Sequence, residues 1–442
     1  MANSPIPAAS GPSSRLASLD ALRGFDLFWI CGADAFGQAF LKAANGPVSH
    51  AIADQLEHVA WQGFRFYDLI FPLFVFISGI SIVLSRSAKP EAGDRNHAFL
   101  SILKRGVLLY LLGVFFYRGY PGWENDIRYL GVLQRIALCY FSAGTLHLFL
   151  SPRALRITVV AILLGYWGLM TLVPVPGVGP ANLQPDTNLA HWVDAQFLGG
   201  KKWNGAHDPE GLLSTVPAIA SCLLGVLAGL FLKDPSRSAT QRLKGLTMAG
   251  VALLATGHVW GLAFPIIKGL WTSSYVCVAG GWSCLLLALF YGLIDVKGWS
   301  GWAKPFTWIG MNSIAVYLAS NLADFGKLAK RLTGGEVTLF LDGLHPGTAG
   351  VVTAFVSVGF CVWLAWLLDG FFCGSEPNLG THRLLHPLFL SCPPPRTLHR
   401  QRPRHRPSAS CPSMPSGDST CSGSSAARAS CGRWKSSAGP RS

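Results

Sequence analysis

Long hydrophobic runs recur along the chain, separated by short polar or Gly- and Pro-rich stretches. Most are close to the roughly 20 residues that cross a bilayer as an α-helix. They predict spans at about 22–42, 66–86, 100–117, 129–150, 154–174, 212–232, 243–262, 272–294, 306–323 and 348–369. The expected class is an all-α polytopic membrane protein, a bundle of about ten transmembrane helices. The pattern divides the chain into a polar N-terminal segment, 1–17, the bundle, 18–370, and a tail, 371–442. The N-terminal segment lacks the basic-then-apolar layout of a cleaved signal, so the first span is expected to remain. No internal repeat is evident, which weighs mildly against a carrier built from inverted halves.

Aliphatic residues nearly vanish after Leu390, and the tail is rich in Pro, Ser, Arg and Gly. Such a segment cannot bury a core and is expected to be disordered. Its abrupt start, just past a span, points to a frameshift near Asp369–Cys373 as its origin.

Lys and Arg in the loops set the expected orientation. With the N-terminus inside, the inner loops hold Arg86, Lys89, Arg95, Arg153, Arg156, Lys233, Arg237, Arg242, Lys244, Lys297 and Lys304. The outer loops hold somewhat fewer cations, and they carry Asp54, Glu57, Asp186, Asp194, Asp208 and Glu210. The expectation is N-in and C-in, with long outer loops at 43–65 and 175–211.

Composition supports the membrane reading. Half of the 442 residues are hydrophobic and 13% are charged, against roughly 25% charged in soluble domains. That excludes a disordered or fibrous chain and most cytosolic enzymes. The net charge is +14, but the tail holds ten Lys and Arg against Glu376 and Asp418. A basic tail beside an inner membrane face accounts for this, and no nucleic-acid partner is expected. Cys31, Cys139, Cys222, Cys277, Cys284 and Cys361 lie in apolar segments without CxxC spacing. They read as small buried hydrophobes, and no metal site is expected.

Ionisable groups inside apolar spans are costly, which makes them functional candidates. The first span carries Asp20, Arg23, Asp26 and Asp34; the second opens with Arg65 and Asp68; the fourth holds Arg135. Asp20 and Arg23, three apart, also read as a helix-end pair. The densest polar stretch is 56–79, where His58 precedes Trp61, Gly63, Asp68 and Pro72. A histidine beside an acid suits a general base or a nucleophile, and on spacing alone it equally suits the aromatic belt. Asp208 and Glu210 precede a helix, where the dipole alone would favour them. Lys268 stands near Thr272, Ser273 and Ser274, and Asn312 sits inside an apolar helix, where its amide needs partners.

Seven motifs carry a resemblance. SLDALRG (18–24), HVAWQG (58–63), DLIFPLFVFISG (68–79), GVLQRIALCYF (131–141), DPEGLLSTVPAI (208–219), KGLWTSSYV (268–276) and GMNSIAVY (310–317) follow in order. Together they resemble the membrane acetyltransferases typified by heparan-α-glucosaminide N-acetyltransferase, over about residues 15–369. The resemblance implies transfer of acetyl from acetyl-CoA to the amine of a terminal glucosamine across the membrane. It implies that His58 is the catalytic histidine of an H-x-x-W-x-G motif, with Trp61 and Gly63 in register. Asp34 takes the place of a functional Asn in that family, an acid where the family has an amide. With no counterpart of the lumenal domain, the chain looks like a minimal bacterial version.

The expected catalytic residues are therefore His58, Asp34 and Asp68. Trp61, Arg135, Asp208, Glu210, Lys268, Ser274 and Asn312 are expected to contact substrate or CoA. The expected setting is a bacterial inner membrane, with the site facing the periplasm, lipid around the bundle and an amino sugar as acceptor; a homodimer fits this picture. Two other classes share the same features: a permease for amino sugars, and an O-acyltransferase of an envelope polysaccharide.

Overall fold

The computed structural model describes residues 16–44, 46–85, 95–116 and 127–373, without the side chains of 33–35 and 371–373. Almost all of the predicted N-terminal segment and tail lies outside these residues. The described residues fall in one compact unit, residues 1–394.

The architecture is all-helical among the described residues. In chain order the helices are α1 (Ala17–Ile30), α2 (Ala33–Ala43), α3 (Pro47–Gln55), α4 (Phe66–Leu84), α5 (Arg95–Phe116), α6 (Val132–Phe149), α7 (Pro152–Leu172) and α8 (Leu189–Phe197). They continue as α9 (Leu212–Lys233), α10 (Ala239–Gly261), α11 (Ser273–Phe290), α12 (Lys304–Met311), α13 (Ser313–Leu322), α14 (Phe325–Leu332), α15 (Glu336–Leu344) and α16 (Thr348–Cys373). A π-helical turn, Tyr291–Val296, extends α11.

Six of the described helices are long and apolar enough to cross a membrane: α4, α5, α7, α9, α11 with its extension, and α16. The protein is thus a helical membrane protein. The other predicted spans are helical too, but differ in build. The span at 22–42 breaks at Cys31 and Gly32 into α1 and α2, and that at 306–323 breaks at Asn312. α6 and α10 carry Arg135 and His147, and Arg242, Lys244 and His258, and are less apolar.

Burial separates two classes among the six. α4, α9 and α11 each bury 67% of their most apolar stretch; α5, α7 and α16 bury 17, 28 and 22%. The second group keeps its apolar surface outward, which lipid solvates and water would not. α4 is central. Leu73, Phe76, Ile77 and Ile80 pack with Leu22 of α1 and Leu287 of α11. Val75 and Ile82 pack with Cys139 of α6 and with Cys222 and Leu223 of α9.

Small residues allow the close crossings. A Cβ on Gly79 of α4 would sit 2.0 Å from the Cys222 carbonyl of α9, and one on Gly225 would sit 1.9 Å from the Phe76 carbonyl. Contact at that range needs glycine on both helices. α1 meets α12 in the same manner through Gly24 and Gly310. Two of the sequence motifs, SLDALRG and GMNSIAVY, thus meet as a packing seam. Arg23 fastens it, donating to the Gly310 carbonyl, to Asp20 and to Ser81 of α4.

Candidate active site

The segment before α4 has few backbone partners of its own. It finds them in the turn before α11. Gly63, at φ 123°, donates its N–H to the Ile266 carbonyl at 2.9 Å, and Gln62 pairs with Ile267 in one antiparallel bridge. Only glycine adopts that φ without strain. This short pairing brings Lys268 to His58 across 210 residues. Trp61 closes the side: its Nε1–H donates to the Leu183 carbonyl at 3.0 Å, and a Cβ on Gly269 would stand 3.3 Å from its ring.

Asp68 occupies the first turn of α4 and is fully buried. Its Oδ2 accepts the N–H groups of Arg65 (3.1 Å) and Val59 (3.3 Å). The first is the N-cap donor of α4 and the second comes from the preceding segment, and the helix dipole favours a carboxylate there. Its Oδ1 lies 2.8 Å from His58 Nδ1. The His58 side chain is 53% exposed, and its ring stacks on Tyr67 with centroids 4.6 Å apart. A buried, ionised acceptor on Nδ1 selects the tautomer with the proton there, which leaves Nε2 as the basic nitrogen. Lys268 Nζ stands 2.9 Å from Nδ1, 3.2 Å from Nε2 and 3.4 Å from Asp68 Oδ1. Burial holds the Lys268 ammonium below its usual range, against the opposing pull of Asp68 and Glu210.

Pro72 explains a further contact. It has no N–H, so the Asp68 carbonyl four residues earlier loses its helical donor. Tyr275 Oη–H of α11 donates to that carbonyl at 2.8 Å. The proline of the motif thus frees the carbonyl that the tyrosine of KGLWTSSYV binds, beneath the Asp68 carboxylate.

A second charged cluster forms before α9. Arg128 Nε and Nη2 donate to both oxygens of Asp208 at 2.8 and 2.6 Å, and Nη2 also reaches Glu210 at 2.6 Å. The Trp203 ring covers the guanidinium at 5.2 Å. Burial opposes the Asp208 carboxylate, but the Arg128 hydrogen bonds and charge outweigh it and hold its pKa down. Burial pushes Glu210 up, against Arg135 and Arg128. Asp194 of α8 supplies the cap of α9, accepting from Leu212 N–H at 2.8 Å and Asp208 N–H at 3.4 Å. Burial raises the Asp194 carboxyl to about 6.

The remaining predicted residues are spread around these clusters. Arg135 is fully buried in α6, bonded to Ser214 and to the Gly211 carbonyl (3.3 Å), with the Trp271 ring 4.9 Å from its centre. Ser274 spends its hydroxyl on the Pro265 carbonyl (3.1 Å) and Thr272. Asn312 sits between α12 and α13, donating to the Trp308 carbonyl at 3.2 Å. Asp34 lies in the first turn of α2, and its side chain is outside the described residues. Sequence reading missed the roles of Tyr67, Arg128, Asp194 and Tyr275. Pro72 was the one signal present, since a proline inside a helix orphans a carbonyl.

Asp186, His191 and His207 are the described residues grouped closely enough to hold a metal ion.

Comparison with known proteins places the chain. A family model described as "Domain of unknown function (DUF5009)" matches residues 15–175. Heparan-alpha-glucosaminide N-acetyltransferase of Homo sapiens is 30% identical over 363 residues, 69% of this chain and 52% of that protein. Its counterpart of Mus musculus is 28% identical over 379 residues, 72% of this chain and 56% of the relative. The chain spans about half the length of these curated relatives. It belongs to the heparan-alpha-glucosaminide N-acetyltransferase-like family.

Proposed function

We propose that the protein is a transmembrane acyltransferase that moves acetyl from acetyl-CoA to the amine of a glucosamine-type sugar. The observation that carries this reading is the buried Asp68 carboxylate on Nδ1 of a half-exposed His58. Ten crossings, N-in and C-in, would put this site at the outer mouth of the bundle. In a bacterial cell that is the periplasmic side of the inner membrane. A homodimer is compatible with this reading.

Asp68 holds the Nδ1 proton, so Nε2 is the basic nitrogen, and substrate must displace the Lys268 contact at 3.2 Å for it to act. In direct transfer, Nε2 takes a proton from the sugar amine as nitrogen attacks the thioester carbonyl. The C–S bond breaks, and the imidazolium returns the proton to the departing thiolate. In the two-step route Nε2 itself bonds the acetyl carbon as thiolate leaves; the amine then displaces the imidazole and loses its proton. Both routes consume one amine and one thioester and yield one amide and one thiol. Lys268 is a donor on the same ring edge, placed to meet negative charge developing on the thioester oxygen. Acetyl-CoA supplies the activated acyl group. Arg65 and Lys268 stand beside His58 and supply cations for the CoA phosphates. Trp61, fixed by Leu183, offers a ring face for a sugar.

The test is acetyl transfer in membranes carrying the protein, with labelled acetyl-CoA and free glucosamine, comparing wild type with His58→Ala. Labelled N-acetylglucosamine that disappears in the variant is the expected result. Label on hydroxyls alone would redirect the reading to an O-acyltransferase. Saturable sugar uptake that survives the substitution, without transfer, would replace it with a permease.

A further inference from the structure

Three side chains in the segment between α7 and α9 take no part in the proposed transfer. Asp186, His191 and His207 each offer one donor atom, and these atoms lie within 4.8 Å of one another. Their spacing in sequence gives no metal signature; the folded segment assembles them.

We propose that Asp186, His191 and His207 form a binding site for a divalent transition metal, zinc(II) being the ion their chemistry fits best. Two imidazoles and one carboxylate are a donor set that zinc takes with a fourth position left to water. His191 and His207 are 4% and 6% exposed, and their rings stack 3.5 Å apart.

The hydrogen bonds leave a donor open. His207 Nδ1 is buried without a hydrogen-bond partner, although it lies 3.2 Å from Asp186 Oδ1. His207 Nε2 faces the Asn204 side-chain amide at 3.0 Å. With the Asn204 amide turned so that its oxygen faces the ring, Nε2–H becomes the donor and the Nδ1 lone pair is free. Metal-bound histidines commonly have such a partner on the second nitrogen. Asp186 is itself held in the left-handed region at φ 63°, a conformation that costs energy and recurs at ligand clamps. Its N–H now donates to His191 Nδ1 at 3.0 Å. An ion replaces that contact. Zinc bonds of about 2.0–2.1 Å require the donors to close in from their present spread, and the rings to splay from their stack.

The ion would act at a distance from the transfer chemistry. It would tie the turn at Asp186 to His207, the neighbour of Asp208. His191 also meets the Trp61 ring edge-on at 5.8 Å, and Leu183 holds the Trp61 N–H. The site therefore braces Trp61 of the His58 motif.

The experiment uses the full chain in detergent, without a polyhistidine tag, after chelator treatment. The tail carries cysteines and histidines of its own, common to every variant, so the readout is the difference from wild type. Cobalt(II) is titrated as a visible probe and then displaced by zinc(II). The expected result is one saturable equivalent more in wild type than in His191→Gln and His207→Gln, with a zinc-induced rise in thermal midpoint that these two variants lack. Asp186→Asn, at an exposed position, guards against a folding failure and is expected to weaken the difference signal about tenfold. Identical stoichiometry and identical thermal shifts in wild type and all three variants would overturn the proposal. The readout is independent of acetyl transfer, so its failure would leave the proposed function untouched.

Discussion

Two charged clusters stand at the starts of two central helices and are used in opposite ways. Before α9, Arg128 gives three hydrogen bonds to Asp208 and Glu210 under the Trp203 ring. At the start of α4, Asp68 is just as buried, but its partner His58 is half in solvent, with Nε2 beside Lys268 Nζ at 3.2 Å and open to exchange that contact for a substrate. A satisfied cluster holds the chain in place. A cluster with one reactive atom left over can do chemistry. Geometry draws that distinction, since both clusters combine buried carboxylates with a cationic or basic partner.

The largest expected effect breaks the open cluster. His58→Ala should lower transfer by at least ~10³-fold with no loss of folded protein, read as initial rate against the amount of monodisperse protein. Asp68→Asn should lower it by ~10²–10⁴-fold, since an amide fails to select the Nδ1–H tautomer. A wild-type rate in either variant would end the comparison.

Arg128→Met attacks the closed cluster and should behave differently. It strands two buried carboxylates, a loss of about 3–5 kcal/mol. Thermal stability should fall steeply, while the protein that remains folded keeps most of its specific activity. A selective loss of activity at unchanged stability would make Arg128 a catalytic group instead.

Asp194 sharpens the comparison through pH. Its folded carboxyl, raised to about 6, binds a proton more tightly than in the unfolded chain. The stability this contributes is complete below about pH 4 and is lost as pH rises through 6. At about 1.4 kcal/mol per unit, the contribution is at most about 3 kcal/mol. Asp194→Asn should flatten that part of the stability curve, measured as thermal midpoint from pH 4 to 7. The smallest effect is Tyr275→Phe, which orphans the Asp68 carbonyl at a cost of about 1–3 kcal/mol. The companion Pro72→Ala should restore much of it by returning the helical N–H donor.

Much of the site was legible in advance because polar residues stand out inside apolar runs. His58, Trp61, Asp68 and Lys268 were all on the candidate roll, and the structure brings them together. Arg135, Ser274 and Asn312 were chosen by the same rule, yet each turns toward helix or turn backbone. A polar residue in an apolar run must find a partner, and its position along the chain does not say whether that partner is a ligand or a carbonyl. Arg128 passed as an ordinary loop cation, because its partners lie 80 and 82 residues away.

Hydrophobic runs by themselves determined that this chain is a helical membrane protein and where most of its helices lie, because each helix satisfies its own backbone within lipid. The glycines and prolines marked where that local logic would be interrupted. Only the tertiary structure decided which helices are central, where two spans break, and which charged cluster opens to solvent. Those outcomes depend on contacts between segments tens to hundreds of residues apart, such as Gly79 on Cys222 and His58 on Lys268. Helix periodicity reports a residue's place on its own helix and carries no record of what another helix sets against it.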